Sequence, residues 1–177
     1  MSALSEELHS AESILVRSDV SGVARLTLNR ADQYNSLSED MLDALQTELD
    51  SIAEDKSVRI VVLVGAGKAF CAGHDLKEMR ARPEQEYYEL LFKKCSHMML
   101  SMVRLPQPII ARVHGIATAA GCQVVANADL AVASSNARFG TSGINYGLFC
   151  MTPSVAVARN VRRKKAFEML FTGDLLS

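Results

Sequence analysis

Apolar and polar positions along the chain alternate between a period of two and a helical period. "ILVRSD" (14–19) and "VARLTLN" (23–29) are short β-type runs separated by "VSG", the pattern of a hairpin. Ser36-Leu37-Ser38-Glu39 reads as a capping box, a serine with a glutamate three residues on. Met41, Leu42, Leu45, Leu49 and Ile52 then recur at helical spacing, which predicts a helix to about Asp55. The continuous run "RIVVLVGA" (59–66) predicts a strand covered on both faces. "GKAFCAGHDLKEM" (67–79) reads as a loop. A long helix is predicted from about Pro83 to Arg104, with Leu91, Cys95, Met98, Met99 and Met102 turned inward as core. "PIIARVHG" (108–115) predicts the next buried strand and "ATAAGCQVVANA" (117–128) the next helix. "DLAVAS" and "ARFG" predict short strands, with helices near Ala156 and Ala166.

This alternation predicts an α/β fold. No exact repeat is visible, but one corner occurs twice: "IVVLVGAGKAFCAG" (60–73) and "IIARVHGIATAAG" (109–121). In each, a buried strand enters a turn rich in Gly and Ala before a helix. A helix start leaves backbone N–H groups unpaired, and small residues let a ligand oxygen reach them. Two such corners side by side would form an oxyanion hole, helped by the helix dipole. Tight helix–sheet packing explains the small residues equally well, and spacing alone leaves both readings open.

Composition narrows the function classes. The chain has 177 residues, 49% hydrophobic and 22% charged, which fits one globular domain spanning residues 1–177. A net charge of -1 gives no broad field for nucleic acid or an anionic membrane, and neither partner is expected. Arg159, Arg162, Arg163, Lys164 and Lys165 form a local run read as a solvated helix start. Cys71, Cys95, Cys122 and Cys150 lack zinc or disulfide spacing and read as free thiols. His9, His74, His97 and His114 lack ligand spacing, so no metal is expected. His74, beside Asp75, reads as a structural or ligand-facing loop histidine rather than a dyad member. Phosphate-loop, dinucleotide, nucleophile-elbow and zinc-protease motifs are absent. The acidic start "MSALSEELHSAE" (1–12) is expected to be flexible. It resembles no targeting signal, which suggests the cytoplasm, or the mitochondrial matrix for a mature organelle form.

Five segments, in this order, carry a resemblance: "NRADQYNSLS", "GAGKAFCAGHDLKEM", "PIIARVHGIATAAGCQVVANADLAVAS", "ARFGTSGINYGL" and "LFTGD". Together they resemble the crotonase superfamily of enoyl-CoA hydratases and isomerases, from about Ile14 to the last residue. Within it the chain is most similar to the branch of enoyl-CoA hydratase domain-containing proteins and bacterial relatives. The resemblance implies an α/β, ClpP-like ββα spiral core with surrounding helices, an acyl-CoA thioester as substrate, no cofactor, and a homotrimer or hexamer. Family members continue beyond "LFTGD" into C-terminal helices that this chain is expected to lack. Apolar surface near Leu170, Phe171, Leu175 and Leu176 would then need a partner.

By the same resemblance, the backbone N–H groups of His74 and Ala120 are the oxyanion-hole donors. Ala72, His74, Asp75, Leu76, Lys77 and Ala120 bind the acyl thioester, and Arg30 lies near the CoA phosphates. The family's two catalytic glutamates fall on Gln123 and Gly143. A glutamine orients a water by hydrogen bonding but is no base near neutral pH, and glycine offers no side chain. Asn145, Tyr146 and Cys150 are the polar groups near the vacated positions. The expectation is an acyl-CoA-binding lyase or isomerase relative of fatty-acid metabolism that stabilises a thioester enolate without the usual two-glutamate hydration. Decarboxylation of a malonyl-type thioester and non-catalytic acyl-CoA binding are the alternatives.

Overall fold

The computed structural model describes residues 13–177. The segment 1–12, expected to be flexible, lies outside them. β1 (Leu15–Val20) and β2 (Val23–Leu28) form the antiparallel hairpin. Ser21 (φ 51) and Gly22 (φ 80) are both left-handed, the backbone a two-residue hairpin turn requires. β2 pairs in parallel with β3 (Ile60–Gly65), β3 with β5 (Ile109–Val113), and β5 with β7 (Leu130–Ala133). The sheet order is β1-β2-β3-β5-β7.

A second, three-stranded parallel sheet has the order β4-β6-β8, made of Ala69–Cys71, Ile116–Thr118 and Arg138–Gly140. Each of these short strands follows directly after β3, β5 or β7. The chain therefore winds through repeated strand–strand steps. Helix α1 (Glu39–Glu54) links β2 to β3. Helices α2 (Leu76–Ala81) and α3 (Gln85–Arg104) link β4 to β5. Helix α4 (Ala120–Asn127) links β6 to β7, and α5 (Met151–Asn160) and α6 (Arg163–Thr172) follow.

Met41, Leu42, Leu45, Leu49 and Ile52 of α1 are all buried, as are Leu91, Cys95, Met98, Met99 and Met102 of α3. They join Val61, Leu63, Ile109 and Ala111 in one core, each large side chain contributing about 1.5–3 kcal/mol.

Four sequence expectations need correction. Residues 67–79 are not one loop, because they contain β4 and the start of α2. The helix expected over 117–128 begins only at Ala120, since Ile116–Thr118 pairs as β6. Both short strands depend on partners distant in sequence, which local pattern does not carry. Ser38, not Ser36, caps α1, accepting from the Met41 N–H at 3.2 Å. Ser36 instead donates to Asp75 Oδ2 at 3.3 Å. Of the four C-terminal apolar residues, Leu170 is buried and Leu176 bridges to Phe139. Phe171 and Leu175 are exposed, Phe171 stacking on Phe167 at 5.3 Å.

Candidate functional site

The two small-residue corners meet. β4 and β6 pair Cys71 with Ala117, and the Thr118 hydroxyl donates to the Ala72 carbonyl at 3.0 Å. Helix α4 starts so close to β4 that a Cβ on Gly121 would lie 2.2 Å from the Cys71 oxygen. Gly73 has φ +90, and a Cβ there would meet the Ala119 Cβ at 3.0 Å and the Ala120 nitrogen at 3.3 Å. Glycine is therefore required at both contacts.

The hydrogen bonds around each corner fix the direction of its amide. Leu37 bridges to His74 in parallel. The bridge uses the Gly73 carbonyl, at 2.8 Å from Leu37 N, and the Asp75 N–H, at 3.2 Å from Leu37 O. A parallel bridge made through the two neighbours leaves the His74 N–H on the opposite side. At the other corner, the Ala119 carbonyl accepts the first helical bond, from Gln123 N at 3.1 Å. The Ala120 N–H belongs to the same peptide plane and points the other way, out of the helix start.

Ala119 reaches this geometry at φ 50, ψ -121, a conformation that costs a non-glycine residue about 1–3 kcal/mol. Its own N–H is held by Gly140 O at 2.9 Å. Nothing in the sequence marks Ala119 as strained.

The His74 side chain is half-buried, packs edge-on against Phe92 at 5.4 Å, and leaves Nδ1 without a partner. Burial lowers its pKa to about 4, against an opposing backbone contact from Leu37, so the imidazole is neutral at pH 7. Asp75 caps α2, accepting from Lys77 N at 3.0 Å and Glu78 N at 3.4 Å. It also pairs with Arg30 at 3.1 Å. Burial raises the Asp75 pKa, but these N–H groups and the Arg30 guanidinium outweigh it and hold the carboxyl low.

Arg30, expected beside the CoA phosphates, turns its guanidinium inward to Asp75 and to the Ser36 carbonyl, 3.2 Å away. Asn35 completes the support, a residue the sequence reading did not single out. Its amide donates to Ala66 O and Ala69 O, both at 2.8 Å, and its Oδ1 accepts from Arg30 N at 2.9 Å. Ala72, Leu76 and Lys77 are exposed beside this loop.

Gln123, one helical turn beyond Ala120, is 7% exposed, and its Oε1 has no hydrogen-bond partner. It lines a cleft of about 520 Å³ between α3, α4 and α5, together with Met99, Leu100, Ala156 and Arg159. Gly143, Asn145, Tyr146 and Cys150 do not line that cleft. A Cβ on Gly143 would lie 2.5 Å from the Leu148 oxygen and 2.8 Å from the Cys150 sulfur, so the second glutamate position has no room for a side chain. Cys150 is partly buried, and burial raises its thiol pKa. The Asn145 amide donates to Gly173 O at 3.4 Å, and Tyr146 is 72% exposed. Among the described residues, no three metal-ligating side chains stand together.

The sequence model of the enoyl-CoA hydratase/isomerase family matches residues 18–177. The chain belongs to the enoyl-CoA hydratase/isomerase family. This family member is 46% identical over 156 residues to "Enoyl-CoA hydratase domain-containing protein 3, mitochondrial" of Xenopus laevis, covering 88% of this chain and 53% of that protein. It superposes on the crystal structure of an enoyl-CoA hydratase from Mycobacterium smegmatis with a TM-score of 0.92 and 63% identity, covering 94% of this chain and 65% of the other. Against human enoyl coenzyme A hydratase domain-containing protein 3 the TM-score is 0.89 and the identity 41%, covering 93% and 65%. The core is thus the crotonase fold, and the hydratase/isomerase-family chain spans about half the length of the curated relatives it matches.

Proposed function

We propose that this chain binds acyl-CoA thioesters and stabilises negative charge on the thioester oxygen between the N–H groups of His74 and Ala120. One observation carries the reading: the strained turn at Ala119, which directs the Ala120 N–H out of the α4 start beside the Gly73 corner. Strain of this kind persists where the surroundings over-determine it, and it clusters at functional sites. A thioester enolate concentrates charge on its oxygen, and one well-placed donor is worth about a hundred- to a thousand-fold in rate.

The side chains favour chemistry that needs no protein base. Gln123 is neutral, position 143 is filled by its own loop, and the Asp75 carboxylate is committed to Arg30 and the α2 start. Decarboxylation of a malonyl-type thioester suits such a site. The bond between the α-carbon and the carboxylate breaks, its electron pair passes into the enolate, carbon dioxide leaves, and solvent supplies a proton. The frog and human enoyl-CoA hydratase domain-containing protein 3 relatives carry the word mitochondrial in their names, and the reading extends to CoA thioesters of the matrix or the cytoplasm.

The test is calorimetric titration of the chain with crotonyl-, butyryl- and malonyl-CoA, followed by chromatographic assay of each mixture for product. Binding of the esters with loss of carbon dioxide from malonyl-CoA is the expected result. Binding with no turnover would make the protein an acyl-CoA binder. Hydration of crotonyl-CoA at a rate typical of hydratases would overturn the assignment of a base-free site.

A further inference from the structure

Each donor amide has a counterpart two residues earlier in its corner, Ala72 before His74 and Thr118 before Ala120. Backbone pairing between the corners stops one residue short of both. β4 and β6 pair as far as Cys71 with Ala117, whereas on its other edge β6 runs on to pair Thr118 with Gly140. Past that last rung each corner is held from its own far side. Ala72 N donates to Tyr34 O at 3.0 Å, and Leu37 N donates to Gly73 O at 2.8 Å. Ala119 N donates to Gly140 O at 2.9 Å. Among the described residues, the hydrogen bond that crosses from one corner to the other runs from the Thr118 hydroxyl to the Ala72 carbonyl, 3.0 Å away.

Two donors serve one oxygen only at a fixed separation, since each has to end about 2.7–3.1 Å from it. The contact of Gly73 with Ala119 limits how closely the corners approach. Such a contact resists compression strongly and separation weakly. The hydroxyl bond supplies the second restraint. Threonine suits the task, because its branched Cβ restricts χ1 in a strand and aims the hydroxyl before it bonds.

We infer that Thr118 is a positioning residue, whose side chain ties the two corners together and so sets the spacing of the His74 and Ala120 amides. This rests on the acyl-thioester reading above and adds the side chain that keeps its two donors matched. The bond lies at an exposed position, so water takes the place of the hydroxyl at Ala72 O once it is removed. Its loss should therefore disturb the donors while leaving the fold nearly as stable.

The test is isotope-edited infrared spectroscopy of butyryl-CoA carrying a heavy carbon isotope at the thioester carbonyl, because donors on that oxygen lower its stretching frequency. In the unaltered chain the band should move to lower frequency on binding. Thr118→Val, which keeps the shape and loses the hydroxyl, should lose most of that displacement. Its calorimetric affinity for butyryl-CoA should change less than about threefold, since donor alignment matters most in the transition state. Thr118→Ser should restore the band position. Malonyl-CoA turnover in Thr118→Val should fall about tenfold in kcat with KM nearly unchanged. The same band position in the unaltered chain and in Thr118→Val overturns the positioning role and leaves the acyl-thioester reading intact. A lost displacement that comes with a lowered urea midpoint and is not restored by serine makes the bond structural, and overturns the role as well. No displacement in the unaltered chain, or no binding of the ester, overturns the acyl-thioester reading and this inference with it.

Discussion

Gly73 and Ala120 stand so close that a methyl group on the first would lie 3.3 Å from the nitrogen of the second. The same methyl would meet Ala119 Cβ at 3.0 Å, and the Gly73 backbone, at φ +90, disfavours any side chain. Gly73→Ala should therefore destabilise the fold by about 1–2 kcal/mol in urea denaturation. It should also weaken CoA-ester binding by more than the stability loss explains, because the two amides are pushed apart. Unchanged binding in a folded Gly73→Ala protein would show that the corners need not touch.

Ala119→Gly is expected to do the opposite to stability. Glycine adopts φ 50, ψ -121 without the Cβ penalty, and the relief exceeds the entropy glycine loses on folding. The expected gain is about 1 kcal/mol, read as a shift of the denaturation midpoint. A loss of that size would mean that Ala119 is not strained.

Much of this fold was legible in the sequence, and the reason differs by element. Helices α1 and α3 and the strands β3 and β5 carry their burial in local periodicity, so their cores were read residue by residue. The three-residue strands β4 and β6 carry none, since β4 is a strand only by pairing with β6, and β6 only by pairing with β4 and β8. The adjacency of the His74 and Ala120 corners came through the small residues and the family resemblance together. The backbone angle of Ala119, the inward turn of Arg30 and the contact of Phe92 with His74 have no sequence signal, because each is set by segments that meet only on folding.

The Arg30–Asp75 pair gives a third prediction. The Asp75 side chain is 9% exposed and Arg30 21%, so removing the guanidinium strands a carboxylate with little solvent. Arg30→Met should cost about 2–4 kcal/mol, and adding Asp75→Asn should recover part of it, measured as a double-mutant cycle by chemical denaturation. Additive losses would show that the pair is not coupled. A free phosphate ligand at position 30 would leave stability nearly unchanged on substitution.

His74 gives a pH dependence. Burial holds its folded pKa at about 4, below the ordinary histidine value of 6.5, so the unfolded chain takes up a proton that the folded one does not. The penalty is absent above pH 6.5, grows as pH falls, and levels off below about 4. Between pH 7 and 5 the chain should lose on the order of 1 kcal/mol more than His74→Asn does. Identical pH profiles for the two proteins would show that the imidazole titrates freely.

Restoring a carboxylate at position 143 should fail. A Cβ there already meets the Leu148 oxygen at 2.5 Å, so Gly143→Glu has to displace the following loop. A cost of about 1–3 kcal/mol is expected, with no gain in crotonyl-CoA hydration by absorbance assay. Recovered hydration would show that the loop gives way easily.

The bond from Gln123 N to the Ala119 carbonyl has an effect that its side chain does not share. A half-turn of the single peptide plane between Ala119 and Ala120 would put a carbonyl oxygen where the amide now stands, and a site that attracts an anion would repel one. The main chain of residue 123 latches that plane, whatever side chain the position carries. Sequence is thus free to change the chemistry at 123 while the polarity of the neighbouring donor stays locked.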